Sequence, residues 1–338
     1  MPGLAVWTDA ASGEAVRYAD VRSWGRVWVA AGEPTGAADG RRAVAERFER
    51  AAREAGARAL WFGVEAPSRI AAERPSVVVG AEPVWAVARW GSIVADKRSV
   101  RAQIARARNK GVEAERWSAA RARASPELRA VLAEWLRTRG LPPLAFLADP
   151  HVLDAPGDRQ FWIARRRGAV VGYLVLRPGP EAYVEWIIRG PAAPNGTAAL
   201  LLDAAVRAMP EAGTFTLGLV PLSTFAPPSD AAPSLPVRAL LWWTRAHATR
   251  FYNYGGLERF KAKFVPDRWR PLHLVTDGRP VSIFTFHAVA AAFADGSPTA
   301  FVARALAAAV RDEARGVAGW LRRRLSSRGS GRSPASSG

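Results

Sequence analysis

Residues 251–264 read Phe-Tyr-Asn-Tyr-Gly-Gly-Leu-Glu-Arg-Phe-Lys-Ala-Lys-Phe and form the most informative stretch of the sequence. The stretch mixes aromatic rings with cations and holds two of the chain's four lysines. Leu257, Phe260 and Phe264 recur at helical spacing, which predicts a helix that packs through these residues. Two interpretations of its cations are open: a solvated helix face, or a positive lip over an anionic substrate with aromatic faces for stacking.

The overall charge favours an anionic partner. The chain has 338 residues, with 48 Lys+Arg against 30 Asp+Glu, and a formal net charge of +18. Such a charge attracts nucleic acid, anionic lipid or an acidic partner. Hydrophobic residues make up 49% of the chain, which excludes wholesale disorder. The length predicts two domains or one large one.

The residue types present exclude several kinds of site. The chain has no cysteine, which excludes disulfides, thiolate metal sites and cysteine nucleophiles. Its four histidines are scattered, so we expect no histidine metal site. No apolar run reaches the roughly 20 residues of a spanning helix, and the first residues do not resemble a signal peptide. We therefore expect a cytoplasmic protein, with peripheral contact to the inner face of the membrane.

Hydrophobic periodicity predicts alternating strands and helices. In the first half, strands are predicted at 26–31, 59–64 and 84–90, and helices at 41–55 and, capped by Asp96, up to residue 110. In the second half, strands are predicted at 161–166, 170–176, 183–189, 215–220 and 272–276, and helices at 126–137, 197–209 and 237–250. The repeated pattern indicates two related α/β units rather than one doubly wound sheet.

Five motifs resemble one known family. They are "VAAGEPTG" with "AVAERFERAAREAGARALWFGVE", "SVRAQIARARNKGVEAERW", "APNGTAALLLDAAVRAM", "TLGLVPLS" and "FYNYGGLERFKAKFVPDRWRP". In this order and spacing, over about residues 15–276, they resemble the catalytic domain of phosphatidylglycerol lysyltransferases, also called aminoacyl-phosphatidylglycerol synthases. The larger relatives also carry an N-terminal flippase of many membrane helices, and we expect no such flippase in this chain.

The resemblance implies an α/β (α+β) fold of two tandem acetyltransferase-like units, each a mixed central sheet flanked by helices. We expect the first unit at 1–120 and the second, catalytic unit at 121–285. Amphipathic helices would follow at 286–325, and a disordered Ser/Gly/Arg-rich tail at 326–338. Within that third segment, a basic helix at 299–325 would either lie on an anionic bilayer or pack on the domain.

The family's reaction moves an aminoacyl group from aminoacyl-tRNA to a lipid hydroxyl, typically that of phosphatidylglycerol. The expected partners are aminoacyl-tRNA and an anionic phospholipid or membrane surface. The aminoacyl ester is already activated, so the reaction needs no ATP site, and we expect no cofactor and no metal. The acceptor hydroxyl must lose a proton, and the carbonyl oxygen must be stabilised as charge develops.

Within this resemblance we expect Glu185, Arg189 and Lys263 to be catalytic. Glu185 stands near the family's acidic residue, with a one-residue shift and Glu in place of Asp. It would orient the donor amine or assist proton transfer, or else be an exposed strand carboxylate. Arg189 would bind the tRNA terminus or a lipid phosphate, or else be a surface cation.

Eight further residues are predicted to bind substrate: Asn195, Gly196, Thr197, Ser223, Tyr252, Asn253, Arg259 and Lys261. The first three begin a helix where an acetyltransferase places its pyrophosphate loop, and helix N-termini bind phosphates. An ordinary capped helix start is the alternative, and the usual acetyltransferase loop pattern is absent. Ser223 has no Gly-x-Ser-x-Gly surroundings, which excludes a serine hydrolase.

A basic patch is predicted on the helix that ends at residue 110. Lys97, Arg98, Arg101 and Arg108 fall within about 100° of one helix face at 3.6 residues per turn. The patch would track RNA or lipid headgroups, or would be a solvated face.

Three functions are consistent with the sequence. The first is the aminoacyl-tRNA-dependent transferase described above. The second is an acyl-CoA-dependent N-acyltransferase of the same fold, which the altered phosphate loop disfavours. The third is a non-catalytic basic protein that binds RNA or a membrane surface, which the 251–264 stretch disfavours.

Overall fold

The protein is described here from a computed structural model. The structure describes residues 4–35, 40–65, 70, 74–137, 152–228, 233–247 and 254–293. The predicted helix at 299–325, the tail at 326–338 and the candidate residues Tyr252 and Asn253 lie outside these ranges.

One continuous mixed sheet of twelve strands runs through this part of the chain. The strands are β1 (Ala5–Thr8), β2 (Ala15–Arg22), β3 (Arg26–Ala31), β4 (Ala57–Glu65), β5 (Ser76–Ala86), β6 (Val112–Trp117), β7 (Gln160–Arg166), β8 (Ala169–Arg177), β9 (Glu181–Arg189), β10 (Thr214–Thr216), β11 (Val220–Pro221) and β12 (Arg268–Thr276). Their order is β1-β2-β3-β4-β12-β5-β10-β9-β8-β7-β6, and β11 pairs with β5.

Helices cover both faces of the sheet. They are α1 (Arg41–Glu54), α2 (Trp90–Asp96), α3 (Arg98–Asn109), α4 (Ala119–Ala124), α5 (Pro126–Arg137), α6 (Thr197–Arg207), α7 (Leu235–His247), α8 (Tyr254–Ala262) and α9 (Ile283–Phe293). A mixed sheet flanked by helices confirms the predicted α/β fold class. None of the described helices combines the length and apolarity needed to cross a bilayer.

Each half of the sheet contains one strand–helix–strand crossover. The first is β3–α1–β4 and the second is β9–α6–β10, and in each the two strands pair in parallel. The halves meet where β5 pairs with β10. Strand β12 lies in the range predicted for the second unit, but it pairs with β4 and β5 of the first half. A unit boundary at residue 120 stays a prediction.

Side-chain alternation along β8 shows how the helices share the two faces in the second half. Leu174 and Leu176 pack in the core that holds the buried residues of α3 and α6. Tyr173 and Val175 point the other way and pack in the core that holds those of α4 and α5. Contacts with these same two cores also show which face of the sheet each residue of β9 lies on.

Three local predictions were wrong. The strand predicted at 215–220 is interrupted, because β10 ends at Thr216, the chain turns at Gly218 with φ +74°, and β11 begins at Val220. The strand predicted at 84–90 ends at Ala86, and the chain then turns through a short 3-10 helix, Val87–Arg89, into α2. Val87, Trp90 and Ile93 are spaced by three residues, so this apolar run buries one side of a helix rather than of a strand. Asp96 ends α2, and the first residues of α3 have no side-chain cap.

The predicted hairpin of β7 and β8 is confirmed. Its two turn residues, Arg167 and Gly168, both have positive φ, at 51° and 81°. This pair of conformations is the type I′ turn that suits two-residue hairpins.

Candidate active site at the end of β9

Helix α8, from the 251–264 stretch, holds the segment between β10 and β11 in place. Lys261 is buried, and its Nζ donates hydrogen bonds to the carbonyl oxygens of Leu217, Gly218 and Leu219 at 2.6, 2.7 and 3.1 Å. Burial lowers the pKa of Lys261 to about 7. Because backbone carbonyls use this ammonium group, its placement fits a positioning role, and direct substrate binding by Lys261 stays a prediction.

A second contact of α8 fixes the loop that carries Ser223. Glu258 accepts hydrogen bonds from the Thr224 backbone N–H and hydroxyl, both at 2.8 Å. Ser223 is itself buried, and its Oγ accepts from the Phe225 N–H at 3.2 Å. The predicted contact of Ser223 with substrate stays a prediction.

The glycine between these contacts is required by close packing. Gly218 has φ +74°, and a Cβ there would collide with the ring of Tyr183. Burial and the charges of Glu185 and Glu82 raise the pKa of Tyr183 to about 12. The Leu-Gly-x-x-Pro-Leu-Ser motif therefore positions backbone carbonyls against α8.

The end of α8 places Lys263 beside α3. Phe264 is fully buried, and its carbonyl oxygen accepts a hydrogen bond from Trp85 Nε1 at 2.8 Å. Lys263 Nζ donates to Gln103 Oε1 at 2.8 Å and lies 4.2 and 4.6 Å from the ring centroids of Phe260 and Phe264. These contacts hold the ammonium group at a fixed point over aromatic faces.

Arg189 is the cation next to Lys263. It is the last residue of β9, it is exposed, and it makes no ion pair with the part of the chain that the structure describes. Burial and the charge of Arg189 together lower the pKa of Lys263 to about 8. Two of the three predicted catalytic residues are therefore close enough for their charges to interact. Binding of an anion between them stays a prediction.

The third predicted catalytic residue, Glu185, does not join this pair. It is the extra residue of a bulge in β9, where Val184 faces Leu176 and Trp186 faces Val175. Trp186 packs in the core that holds Leu128 and Val131 of α5, whereas Val184 packs in the core of α3 and α6.

The partners of Glu185 place it on the α5 side of the sheet. Its carboxylate accepts from Arg159 Nε at 2.5 Å and from Arg177. Arg177 alternates on β8 with Leu176, which faces α6, so Glu185 lies on the opposite face from Lys263. Both of its oxygens are held by guanidinium groups, and its predicted role with the donor amine stays a prediction.

The start of α6 is packed against α3. Gly196 has φ +102°, and a Cβ there would collide with the backbone carbonyl oxygen of Gln103. The hydroxyl of the buried Thr197 donates to the Pro194 carbonyl at 2.7 Å, whereas Asn195 is exposed. Of the three residues, Asn195 alone is exposed, and binding of substrate by them stays a prediction.

The basic patch on α3 divides into engaged and free cations. Arg101 donates to the Ala95 carbonyl, and Arg108 pairs with the buried Asp203 at 3.3 Å. Lys97 and Arg98 are exposed and make no ion pair within the described ranges, and the same holds for Arg259 on α8. A role of this patch with tRNA or lipid stays a prediction.

A charged cluster in the middle of the sheet was missed by sequence reasoning. Arg270 of β12 pairs with Glu65 at 3.2 Å and also with Glu82 and Glu181. Oxygens of the three carboxylates lie within 4.8 Å of one another, which is a spacing that a metal ion can use. The Arg270 guanidinium already supplies the cation among them, so these residues do not fit a metal site. The four residues lie far apart in sequence, and no motif links them.

Comparison with known proteins identifies the family. Residues 3–276 match the family model described as "Phosphatidylglycerol lysyltransferase, C-terminal". Among curated proteins, none matches this chain.

Two solved structures are similar over most of the chain. The C-terminal domain of a putative lysylphosphatidylglycerol synthetase from Agrobacterium fabrum has 22% identity and a TM-score of 0.66, over 85% of this chain and 89% of that one. The structure of L-PGS from Bacillus licheniformis has 18% identity and a TM-score of 0.63, over 86% and 88%. At these identities they show a shared fold. With the family match over residues 3–276, this chain belongs to the family of phosphatidylglycerol lysyltransferase C-terminal domains.

Proposed function

We propose that this protein transfers an amino acid from aminoacyl-tRNA to the hydroxyl group of a phospholipid such as phosphatidylglycerol. The acceptor oxygen attacks the carbonyl carbon of the aminoacyl ester and loses its proton. The bond between that carbon and the ribose oxygen of the tRNA breaks, and the ribose oxygen takes up a proton. A new ester to the lipid and a free tRNA result.

The observation that carries the proposal is the pair of cations at the end of β9. Arg189 is exposed without an ion pair in the described residues, and Lys263 is held beside it by Gln103. A phosphodiester is the anion that both the lipid headgroup and the tRNA backbone offer. Arginine binds phosphate oxygens in bidentate fashion, and a neighbouring lysine adds a point charge.

Binding the lipid phosphodiester here would also position the acceptor. In phosphatidylglycerol the free hydroxyl groups are a few bonds from the phosphate, so an immobilised phosphate limits where the hydroxyl can go. Orientation of this kind contributes a large part of the rate of transfer reactions. The family match supports a transferase, and the charge of +18 supports two anionic substrates.

The alternative acyl-CoA donor is less well supported. The start of α6, where a pyrophosphate would bind, is packed against Gln103 and Ala107 of α3. We therefore keep aminoacyl-tRNA as the proposed donor.

The test is expression in a bacterial host followed by mass spectrometry of the total lipids. We expect new aminoacylated lipids with the wild-type chain, and a loss of about 100-fold with Arg189→Ala or Lys263→Ala, since each removes a charged contact to substrate. Lys110→Ala is the matched control, because Lys110 is an exposed cation just beyond α3 and outside the site. No new lipid, together with consumption of acyl-CoA by the purified protein, would overturn the proposal. Co-purifying RNA without turnover would instead support the binding protein.

A further inference from the structure

We propose that three exposed apolar side chains, Trp24, Ile283 and Phe284, form a knob that inserts into the interface of an anionic phospholipid bilayer. The inference rests on the proposed lipid acceptor, and it assigns the surface through which the protein reaches that lipid. These side chains are 74%, 46% and 48% exposed. Large apolar groups exposed together mark an interaction surface.

The apolar knob is held in a fixed shape. Trp24 is the tip of the hairpin between β2 and β3, and its ring contacts those of Phe284 and His287 at centroid distances of 5.0 and 4.3 Å. The hairpin is tied to α9 by a hydrogen bond of 2.7 Å between Ser23 Oγ and His287 Nδ1. The knob therefore needs little reorganisation to insert.

The residue at the tip of the hairpin suits a membrane interface. Trp24 has φ +47°, which hairpin turns commonly require, at a position where glycine or asparagine is usual. Tryptophan is enriched at membrane–water interfaces, where its ring is apolar and its N–H can reach polar headgroups.

The charges around the knob favour an anionic bilayer. Residues 21–31 and 278–293, which carry the knob, contain no Asp or Glu. The acidic residues that directly precede these ranges are already paired, Asp20 with Arg26 and Asp277 with Arg58. Arg22 and Arg279 are exposed and make no ion pair within the described part of the chain. An apolar knob with a basic rim matches the anionic surface of a bilayer.

Strand directions place the knob and the cation pair at one edge of the sheet. Between β3 and β9 lie β4, β12, β5 and β10, with parallel pairing at both ends and three antiparallel steps between them. Strand β9 therefore runs antiparallel to β3. Its last residue, Arg189, lies at the edge of the sheet at which β3 begins, and Trp24 comes just before β3 in the chain. Five strand spacings separate the two strands, which is about 25 Å.

The test is co-sedimentation of the purified full chain with vesicles, in the absence of any aminoacyl-tRNA. We expect the protein to bind vesicles of equimolar phosphatidylglycerol and phosphatidylcholine more tightly than vesicles of phosphatidylcholine alone. Trp24→Ala combined with Phe284→Ala should weaken the binding by about tenfold, since two apolar side chains no longer insert. Arg22→Gln combined with Arg279→Gln should weaken it severalfold at low salt and much less at high salt.

The matched control is Val6→Ala. Val6 is an exposed apolar residue on β1, and it pairs with Arg17, far along β2 from the hairpin tip. Trp24→Phe should retain most of the binding, and an unchanged melting temperature would show that each variant is folded. The proposal would be overturned if the variant with both Trp24→Ala and Phe284→Ala bound vesicles as tightly as wild type. It would also be overturned if wild type were a dimer and this double variant a monomer with unchanged vesicle binding, since a second copy of the chain would then cover the knob.

A separate assay distinguishes this inference from the proposed function. Transfer to glycerophosphoglycerol, the water-soluble headgroup, requires the site but no membrane. The knob variant should retain this transfer in full. Vesicle binding through the knob with no transfer to the soluble acceptor by wild type would overturn the proposed function alone.

Discussion

The strand–helix–strand crossovers β3–α1–β4 and β9–α6–β10 have the same arrangement but differ in charge balance. After β3, Glu33 accepts from Arg41 Nη1 at 2.6 Å and from the Glu65 N–H at 3.0 Å. After β9, Arg189 and Lys263 have no such carboxylate among the described residues. The cation after β3 is thus balanced by a carboxylate, whereas the positive charge of Arg189 and Lys263 is not balanced within the described residues. We propose that this difference in pairing, rather than the number of cations, separates a structural crossover from one that binds a ligand.

The largest expected effect concerns the two lysines of the 251–264 stretch, one engaged and one available. Lys261→Met removes the donor from three buried carbonyl oxygens, and we expect it to lower the free energy of unfolding by about 3 kcal/mol. Lys263→Met loses one side-chain hydrogen bond, and we expect a decrease below about 1 kcal/mol. Chemical denaturation of both variants measures the difference. Equal losses would mean that the two lysines have the same structural role.

Gln103→Glu would place a carboxylate beside Lys263, as Glu33 lies beside Arg41 after β3. The new carboxylate would accept from Lys263 where the amide now accepts at 2.8 Å, and would neutralise the anion site from within. We expect lipid aminoacylation to fall by about tenfold or more without loss of stability. Gln160→Glu, at the start of β7, makes the same change of charge elsewhere and should leave the activity unchanged. Full activity of the Gln103→Glu variant would show that the positive charge is not needed.

The pH dependence of anion binding tests whether the charge of Lys263 contributes to the site. Lys263 has a pKa of about 8 in the free protein, so it is charged below pH 8 and neutral above it. The affinity for a phosphodiester should therefore be constant at lower pH and fall as the pH rises through 8, by up to about tenfold per pH unit. Titrations between pH 6.5 and 9.5, a range of about three units centred on that pKa, measure this. Lys263→Arg should remove the dependence, since arginine stays charged; a dependence that persists would assign it to another group.

The smallest effect is expected for a paired cation on α3. Arg108 is exposed and contacts Asp203, whose carboxylate also binds Arg207 at 2.8 Å and Trp90 Nε1 at 3.0 Å. Arg108→Ala leaves those partners in place, so we expect a loss of stability below about 1 kcal/mol and little change in activity. Thermal unfolding and the lipid assay check both. A loss of activity like that of Arg189→Ala would place Arg108 in a substrate site.

The sequence predicted local structure well where one periodicity dominated. The helix predicted at 126–137 has the observed bounds of α5, with Pro126 at its first position, where its missing N–H costs nothing. The Ser125 hydroxyl accepts from the Leu128 N–H at 3.2 Å. The strand at 84–90 was wrong because its apolar residues are equally compatible with a helix once they pack in the core beside α3 and α6.

The candidate site was only half predictable, because the role of each of its residues depends on contacts with residues distant in sequence. Arg189 and Lys263 were predicted from the family resemblance. Nothing local to Lys261 and Lys263 shows that the first contacts three carbonyl oxygens and the second a glutamine. The contacts of Glu185 with Arg159 and Arg177 depend on the pairing of β7 with β8 and of β8 with β9. Pairings at such sequence separation leave no pattern within a single chain.

Equilibrium binding of glycerophosphoglycerol to the purified protein measures whether Arg189 and Lys263 bind a phosphodiester. We expect wild type to bind this headgroup at pH 7, Arg189→Ala and Lys263→Ala each to weaken the binding by about tenfold or more, and Lys110→Ala to leave it unchanged. Binding by both site variants that equals binding by wild type would contradict a phosphodiester site formed by these two residues.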